Sequence, residues 1–143
     1  MHFSFKIIEK ENISTILPLI NKLNEGKVSI EILEKRFQDI VHQNYECAGI
    51  FDSDKLIGIS GMWFCTRHYS GKSVELDHVY IEDAYRNHGL GKQFMEWITD
   101  YVKTKNVEAI ELNAYIENPA SHRFYENLGF KKPGYHFLKK LNN

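Results

Sequence analysis

Phe3, Phe5 and Ile7 alternate with Ser4 and Lys6, a period of two that predicts an opening strand. Ile16, Leu17, Ile20 and Leu23 then fall at helical spacing, with Asn12 or Ser14 as the expected cap. A second helix is predicted over residues 29–42, its apolar stripe drawn from Ile30, Ile32, Leu33, Phe37, Ile40 and Val41. The middle of the chain reads as strands: 47–51, a turn at 52–55, 56–65, a second turn at Ser70-Gly71-Lys72, and 74–81. A helix follows from near Gly89, with Leu90, Phe94, Trp97, Ile98, Tyr101 and Val102 on one face. Residues 107–116 read as another strand. Asn118-Pro119 opens a short helix, Asn as cap and Pro at the first helical position, and Gly129 closes it. Residues 135–141 predict a last strand. This mixture gives a mixed α/β (α+β) class with a sheet that is antiparallel at first.

Composition narrows the partners. With 143 residues, 43% hydrophobic and 26% charged, the chain is expected to fold as a single domain over 1–143. Eighteen Lys and Arg balance nineteen Asp and Glu, which leaves no broad basic footprint for nucleic acid and no polybasic membrane anchor. The first residues lack the apolar core and cleavage site of a signal peptide. No stretch approaches the roughly 20 apolar residues of a membrane span. Cys47 and Cys65 show no CxxC spacing and read as two buried free thiols, so a cytoplasmic protein without disulfides is expected. The seven histidines show no ligand spacing, and no metal is expected. A homodimer stays open.

The strongest chemical signal is Arg86-Asn87-His88-Gly89-Leu90-Gly91-Lys92, between a strand and an amphipathic helix. Two glycines at a helix start let the backbone approach a ligand, and the free N–H groups with the helix dipole favour an anion. A dinucleotide fingerprint would need a third glycine where Phe94 stands. A Walker loop would need glycine at Arg86 and a hydroxyl at Gln93, so both nucleotide readings fail. The second signal is Asn118-Pro119-Ala120-Ser121-His122-Arg123-Phe124-Tyr125-Glu126-Asn127-Leu128-Gly129-Phe130.

Together, in this order and with a strand between them, the segments resemble the two signature motifs of the GNAT N-acetyltransferases. The family's phosphate loop, Arg/Gln-x-x-Gly-x-Gly/Ala, is matched from Arg86 to Gly91. Its Asn-x-x-Ala-x-x-Phe-Tyr-Glu-x-Leu-Gly-Phe motif is matched from Asn118 to Phe130, with Ser121 at the usual alanine. The resemblance covers residues 45–141, and the preceding residues fit by pattern alone. It implies the GNAT-type acyl-CoA N-acyltransferase fold: a central, mostly antiparallel sheet with flanking helices, in which parallel strands 74–81 and 107–116 splay apart. It implies acetyl-CoA as co-substrate, its pantetheine arm against Val79, Tyr80 and Ile81 like an added strand. The pyrophosphate would rest on Arg86, Asn87, His88, Gly89, Leu90, Gly91 and Lys92, and Asn118 would bond the pantetheine. Tyr125 matches the family tyrosine that binds the CoA sulfur and protonates it.

Acetyl transfer to an amine requires a neutral nucleophile. Glu75, eleven residues before Arg86, stands where several family members carry a base. Strand alternation puts Glu75, Asp77 and Val79 on one face and His78 on the other. Repulsion between the two carboxylates is expected to raise one pKa toward a base's working range. The expected function is transfer of acetyl to a primary amine of a small molecule, by direct attack in a ternary complex. The alternatives are a non-catalytic acetyl-CoA sensor and acetylation of a protein or peptide amine. The closing segment from Gly134 to Leu141 is similar to aminoalkylphosphonate acetyltransferases. Such anionic acceptors would use Arg67 and Lys72, whereas polyamines would suit Glu75 and Asp77.

Overall fold

The computed structural model describes residues 1–142, which divide into two compact units, Met1–Leu112 and the described residues from Asn113 onward. The first unit carries five strands in spatial order β1-β2-β3-β4-β5: β1 Phe3–Ile8, β2 Tyr45–Asp52, β3 Lys55–Arg67, β4 Gly71–Ile81 and β5 Ala109–Leu112. Consecutive strands pair antiparallel as far as β4: short turns join β2 to β3 and β3 to β4, whereas residues 9–44, which carry two helices, connect β1 to β2. β4 and β5 pair in parallel because the helix α3, Leu90–Lys103, returns the chain between them.

Each sheet face buries its own layer. Tyr45, Cys47 and Ile59 pack with Ile8, Ile16, Leu17, Leu19 and Ile20, and with Leu33 and Phe37. Leu17, Leu19 and Ile20 come from helix α1, Leu17–Leu23, and Leu33 and Phe37 from helix α2, Ile30–Ile40. The alternate residues Glu46, Ala48 and Ile50 of β2 face α3, whose Leu90, Phe94, Met95, Ile98 and Val102 are buried. Phe94 stacks on Phe5 of β1 at 5.9 Å, and Tyr101 and Lys105 both reach Glu46. Ser29 caps α2, its Oγ accepting the Ile32 N–H at 3.2 Å.

Several expectations are corrected. A 3-10 segment, Lys10–Ile16, precedes α1, so neither Asn12 nor Ser14 caps a helix. Pro18, which has no N–H to satisfy, sits in the first turn of α1 instead. Ile30 and Ile32 are exposed, because only the Leu33–Phe37 spacing faces the sheet. Cys65 is exposed where β3 outruns the core. The strand expected over 107–116 is only the four residues of β5, since its ladder stops opposite Leu76.

The second unit holds helix α4, Pro119–Asn127. Asn118 Oδ1 accepts the Ser121 N–H at 3.1 Å. The helix ends with Gly129 at φ 95° and with Phe130 donating its N–H to the Tyr125 carbonyl at 3.1 Å. Tyr125 lies edge-on between Phe124 and Phe130, at 5.1 and 5.7 Å. The strand expected over 135–141 does not form. Tyr135, Phe137, Leu138 and Leu141 are exposed, and among the described residues this unit contains no strand to complete a ladder.

The fold predicts a specific cost. Phe94 is 1% exposed, so Phe94→Ala should destabilise the protein by about 3–5 kcal/mol, read as a lowered urea midpoint at unchanged slope.

Candidate active site

Strand β4 changes partners along its length. From Ser73 to Leu76 it is paired on both edges, with β3 and with β5. β5 ends there while β4 continues to Ile81, so among the described residues no strand pairs with the second edge of 77–81. The Glu82 N–H donates to the Ile57 carbonyl at 2.9 Å, so alternation turns Val79 and Ile81 toward the open edge. The Ile81 carbonyl accepts from Arg86 Nε at 2.8 Å.

The strand is also irregular at this point. Asp77 stands opposite Gly61 and Tyr80 opposite Ile59, so His78 and Val79 together face one residue, Ser60. This is a β-bulge, with His78 at φ 38°. Two expectations fall with it. Glu75 and Asp77 share a face, but Tyr80 takes up that face after the bulge and Val79 is turned to the other. His78, expected opposite Glu75, lays its ring on the Glu75 face, with Nε2 2.6 Å from Tyr45 Oη.

Residues 82–86 are tethered from three sides. Lys22 of α1 pairs with Glu82 at 2.7 Å, and Tyr85 Oη donates to Asp52 Oδ2 at 2.7 Å. Arg86 pairs with Asp83 at 2.8 Å and lies over the Tyr80 ring. Arg86 therefore holds its own loop, and its charge is partly compensated. Asn87 and Gly89 then take left-handed backbone, φ 65° and 73°. The N–H groups of residues 87–92 make no hydrogen bond among the described residues, and the first return bond runs from Gln93 N–H to the Gly89 carbonyl. A Cβ built at Gly89 would meet nothing within 4 Å. Arg86, Asn87, His88 and Lys92 are exposed, Gly91 is half-buried, and Leu90 offers only its amide because its side chain is in the core. The arrangement is a concentration of unused donors at the positive end of a helix, suited to an anion.

The carboxylates do not behave as an isolated repelling pair. Glu75 stands beside Glu111 in the parallel ladder, and Arg67 bridges them, with Nη2 2.9 Å from Glu75 and Nε 3.0 Å from Glu111. Tyr69 Oη also donates to Glu111 at 2.6 Å. Asp77 accepts from His78 N–H at 2.9 Å and from Trp63 Nε1 at 3.3 Å, and its carboxylate faces His78 Nδ1 at 3.5 Å. The His78 contact, helped by Trp63, holds the Asp77 carboxyl down at about 2, opposite to the expected rise. In the second unit, burial pushes the Tyr125 phenol up, so it stays protonated at neutral pH. Its hydroxyl makes no hydrogen bond among the described residues.

The profile of the Acetyltransferase (GNAT) family matches residues 14–130. The chain belongs to this family. The N-alpha-acetyltransferase 30 of Saccharomyces cerevisiae is 32% identical over 62 residues, 43% of this chain and 35% of its own length. The aminoalkylphosphonate N-acetyltransferase of Salmonella typhimurium is 26% identical over 74 residues, 52% of this chain and 48% of its own. The matches thus span less than half of either relative. Among solved structures, AAC(6')-Iy in complex with the bisubstrate analog CoA-S-monomethyl-acetylneamine superposes with a TM-score of 0.82 at 16% identity, covering 100% of both chains, a likeness of fold.

Two features of this GNAT chain escaped sequence reasoning. Tyr45 and His78 meet at the bulge, and Arg67 is engaged by two glutamates. The one local hint was Gly61, a glycine inside a long apolar strand. A cleft of about 740 Å³, lined among others by Tyr45, Cys47, Lys72 and Lys105, includes none of residues 79–81 or 86–92.

The depressed Asp77 carboxyl links this corner of the GNAT fold to pH. Its folded pKa of about 2 lies below the unfolded value near 3.9, so its contribution is complete above about pH 5 and is lost as pH falls toward 2. The side chain is 57% exposed, so water screening limits the contribution to about 1 kcal/mol or less. Asp77→Asn should flatten the acid limb of the stability–pH curve, and urea midpoints with the same pH dependence as wild type would contradict the linkage.

Proposed function

We propose that the chain is an acetyl-CoA-dependent N-acetyltransferase that acetylates a primary amine of a small molecule by direct attack in a ternary complex. The observation that carries this reading is the pairing of an open strand edge with unused donors: Val79 and Ile81 turn outward along β4, and the amides of 87–92 have no partner among the described residues. An amide-bearing arm and a pyrophosphate would satisfy both. Both signature motifs lie within the matched residues 14–130, which supports a single transferase domain. Acetyl-CoA would supply an acetyl group activated as a thioester.

In this reading Val79, Tyr80 and Ile81 hold the pantetheine arm with Asn118, while the amides from Asn87 to Lys92 hold the pyrophosphate. Arg86 stiffens that loop. Tyr125 donates a proton to the departing sulfur, a role suited to a phenol that burial keeps protonated. Burial pushes the Cys47 thiol up to about 12, which leaves it a poor nucleophile for a covalent acyl intermediate. Asp77 attracts the acceptor ammonium, and Glu75, directly or through a water, takes the proton that the amine must lose before it attacks the thioester carbonyl. Arg67 is shared by two carboxylates, which makes it a weak anchor for an anionic acceptor. The face of Glu75, Asp77 and Glu111 favours a cationic amine over an aminoalkylphosphonate.

Thiol release should be measured with acetyl-CoA and a panel of polyamines, aminoglycosides, amino acids, an aminoalkylphosphonate and a peptide N-terminus. Release with cationic small amines is expected. Acetyl-CoA binding without release from any amine would favour a sensor, and release with the peptide alone would move the acceptor class to proteins. Gly89→Val places a β-branched residue at φ 73° beside the unused amides and should weaken acetyl-CoA binding at least tenfold. Tyr125→Phe should slow turnover by about 10²-fold, the low end for a general acid, because a thiolate leaves readily.

A further inference from the structure

Two departures from strand preference meet in the middle of the sheet. Gly61 sits inside β3, where glycine weakens a strand, and His78 occupies a left-handed backbone that favours glycine. A Cβ on Gly61 would run into the His78 imidazole and the Tyr45 ring. The missing methyl is therefore the floor of a seat for the imidazole. Its walls are Tyr45, whose hydroxyl lies 2.6 Å from Nε2, and Phe37, edge-on at 5.6 Å. Asp77 closes the outer side, its carboxylate 3.5 Å from Nδ1, and is itself held by Trp63 Nε1. The His78 side chain is only 10% exposed and Tyr45 3%. With Asp77 ionised and the buried Tyr45 phenol protonated, the consistent arrangement has Nδ1–H facing Asp77 and Nε2 accepting from Tyr45.

We propose that His78 is a positioning residue: its imidazole, seated over Gly61 between Tyr45 and Asp77, locks the bulge in β4 and so presents Val79 and Ile81 to acetyl-CoA and Asp77 to the acceptor. The inference rests on the acetyltransferase reading for its ligand, while the lock itself is a property of the strand. Both ring nitrogens are engaged inside the protein, so His78 does not touch substrate. It replaces with two side-chain contacts the freedom that glycine would bring to a left-handed position.

His78→Gly tests this directly, because it keeps the backbone conformation and empties the seat. The acetyl-CoA KM should rise roughly tenfold, the worth of one or two hydrogen bonds, with a smaller change in kcat. Imidazole added to this variant should refill the seat and recover most of the loss, which a merely structural defect would not show. Gly61→Ala, with His78 intact, should reproduce the rise by displacing the ring. Tyr45→Phe, which removes only the hydroxyl, serves if His78→Gly does not fold. Amide hydrogen exchange at Asp77–Tyr80 provides a readout without ligand: it should quicken in His78→Gly and slow again with imidazole. A wild-type protein that binds no acetyl-CoA sinks the transferase reading, while the exchange data still decide the lock. Unchanged exchange in the variants, or acetyl-CoA affinities within twofold of a wild type that binds, would overturn the proposal.

Discussion

A strand in the interior of a sheet has its N–H and C=O groups claimed from both sides, and a ligand can reach that backbone only where one neighbour is withdrawn. In β4 the withdrawal comes after Leu76, where β5 stops and the bulge bends the strand. The candidate site depends on that transition. Before it, β4 is structural and buried at Val74 and Leu76. After it, the same strand has a paired edge toward β3 and a second edge that no strand pairs among the described residues. The bulge also flips the side-chain alternation, so that Tyr80 inherits the face of Asp77 and supports the Arg86 guanidinium.

Charge is arranged around the same transition. Glu75 and Glu111 are adjacent in a parallel ladder, where like charges repel, and Arg67 relieves this by bonding to both. The three residues come from β3, β4 and β5, so one guanidinium ties three strands just before the edge opens. Asp77 takes its partners from His78 and Trp63 instead. The two acidic residues of one strand face thus have different environments, although their spacing in sequence suggests a pair.

What was legible in the sequence was local. The second helix starts at Ser29, Asn118 caps α4, Pro119 and Gly129 bound it, and the Arg86–Lys92 segment lies at a strand-to-helix junction, because each depends on neighbours a few residues away. The bulge was not legible, since its cause is divided between Gly61, Tyr45 and His78 on three strands. The same holds for the short β5 and the missing strand at 135–141: apolar alternation gives a segment the ability to pair, but the ladder needs a partner in register. Arg67, read as a free cation, is committed to two glutamates for the same non-local reason.

The Asp52–Tyr85 and Lys22–Glu82 contacts bear on how this loop can be borrowed or inherited. Its anchors lie at the β2–β3 turn and on α1, up to sixty residues upstream in the chain. The segment carrying the unused amides is therefore not a portable cassette. Grafted alone onto another strand and helix, residues 82–92 would bring the glycines but leave behind the carboxylate and the ammonium that set their height above the sheet. Changes at positions 22 and 52 are thus coupled to the loop as closely as changes within it, and a designer moving the loop would have to move them too.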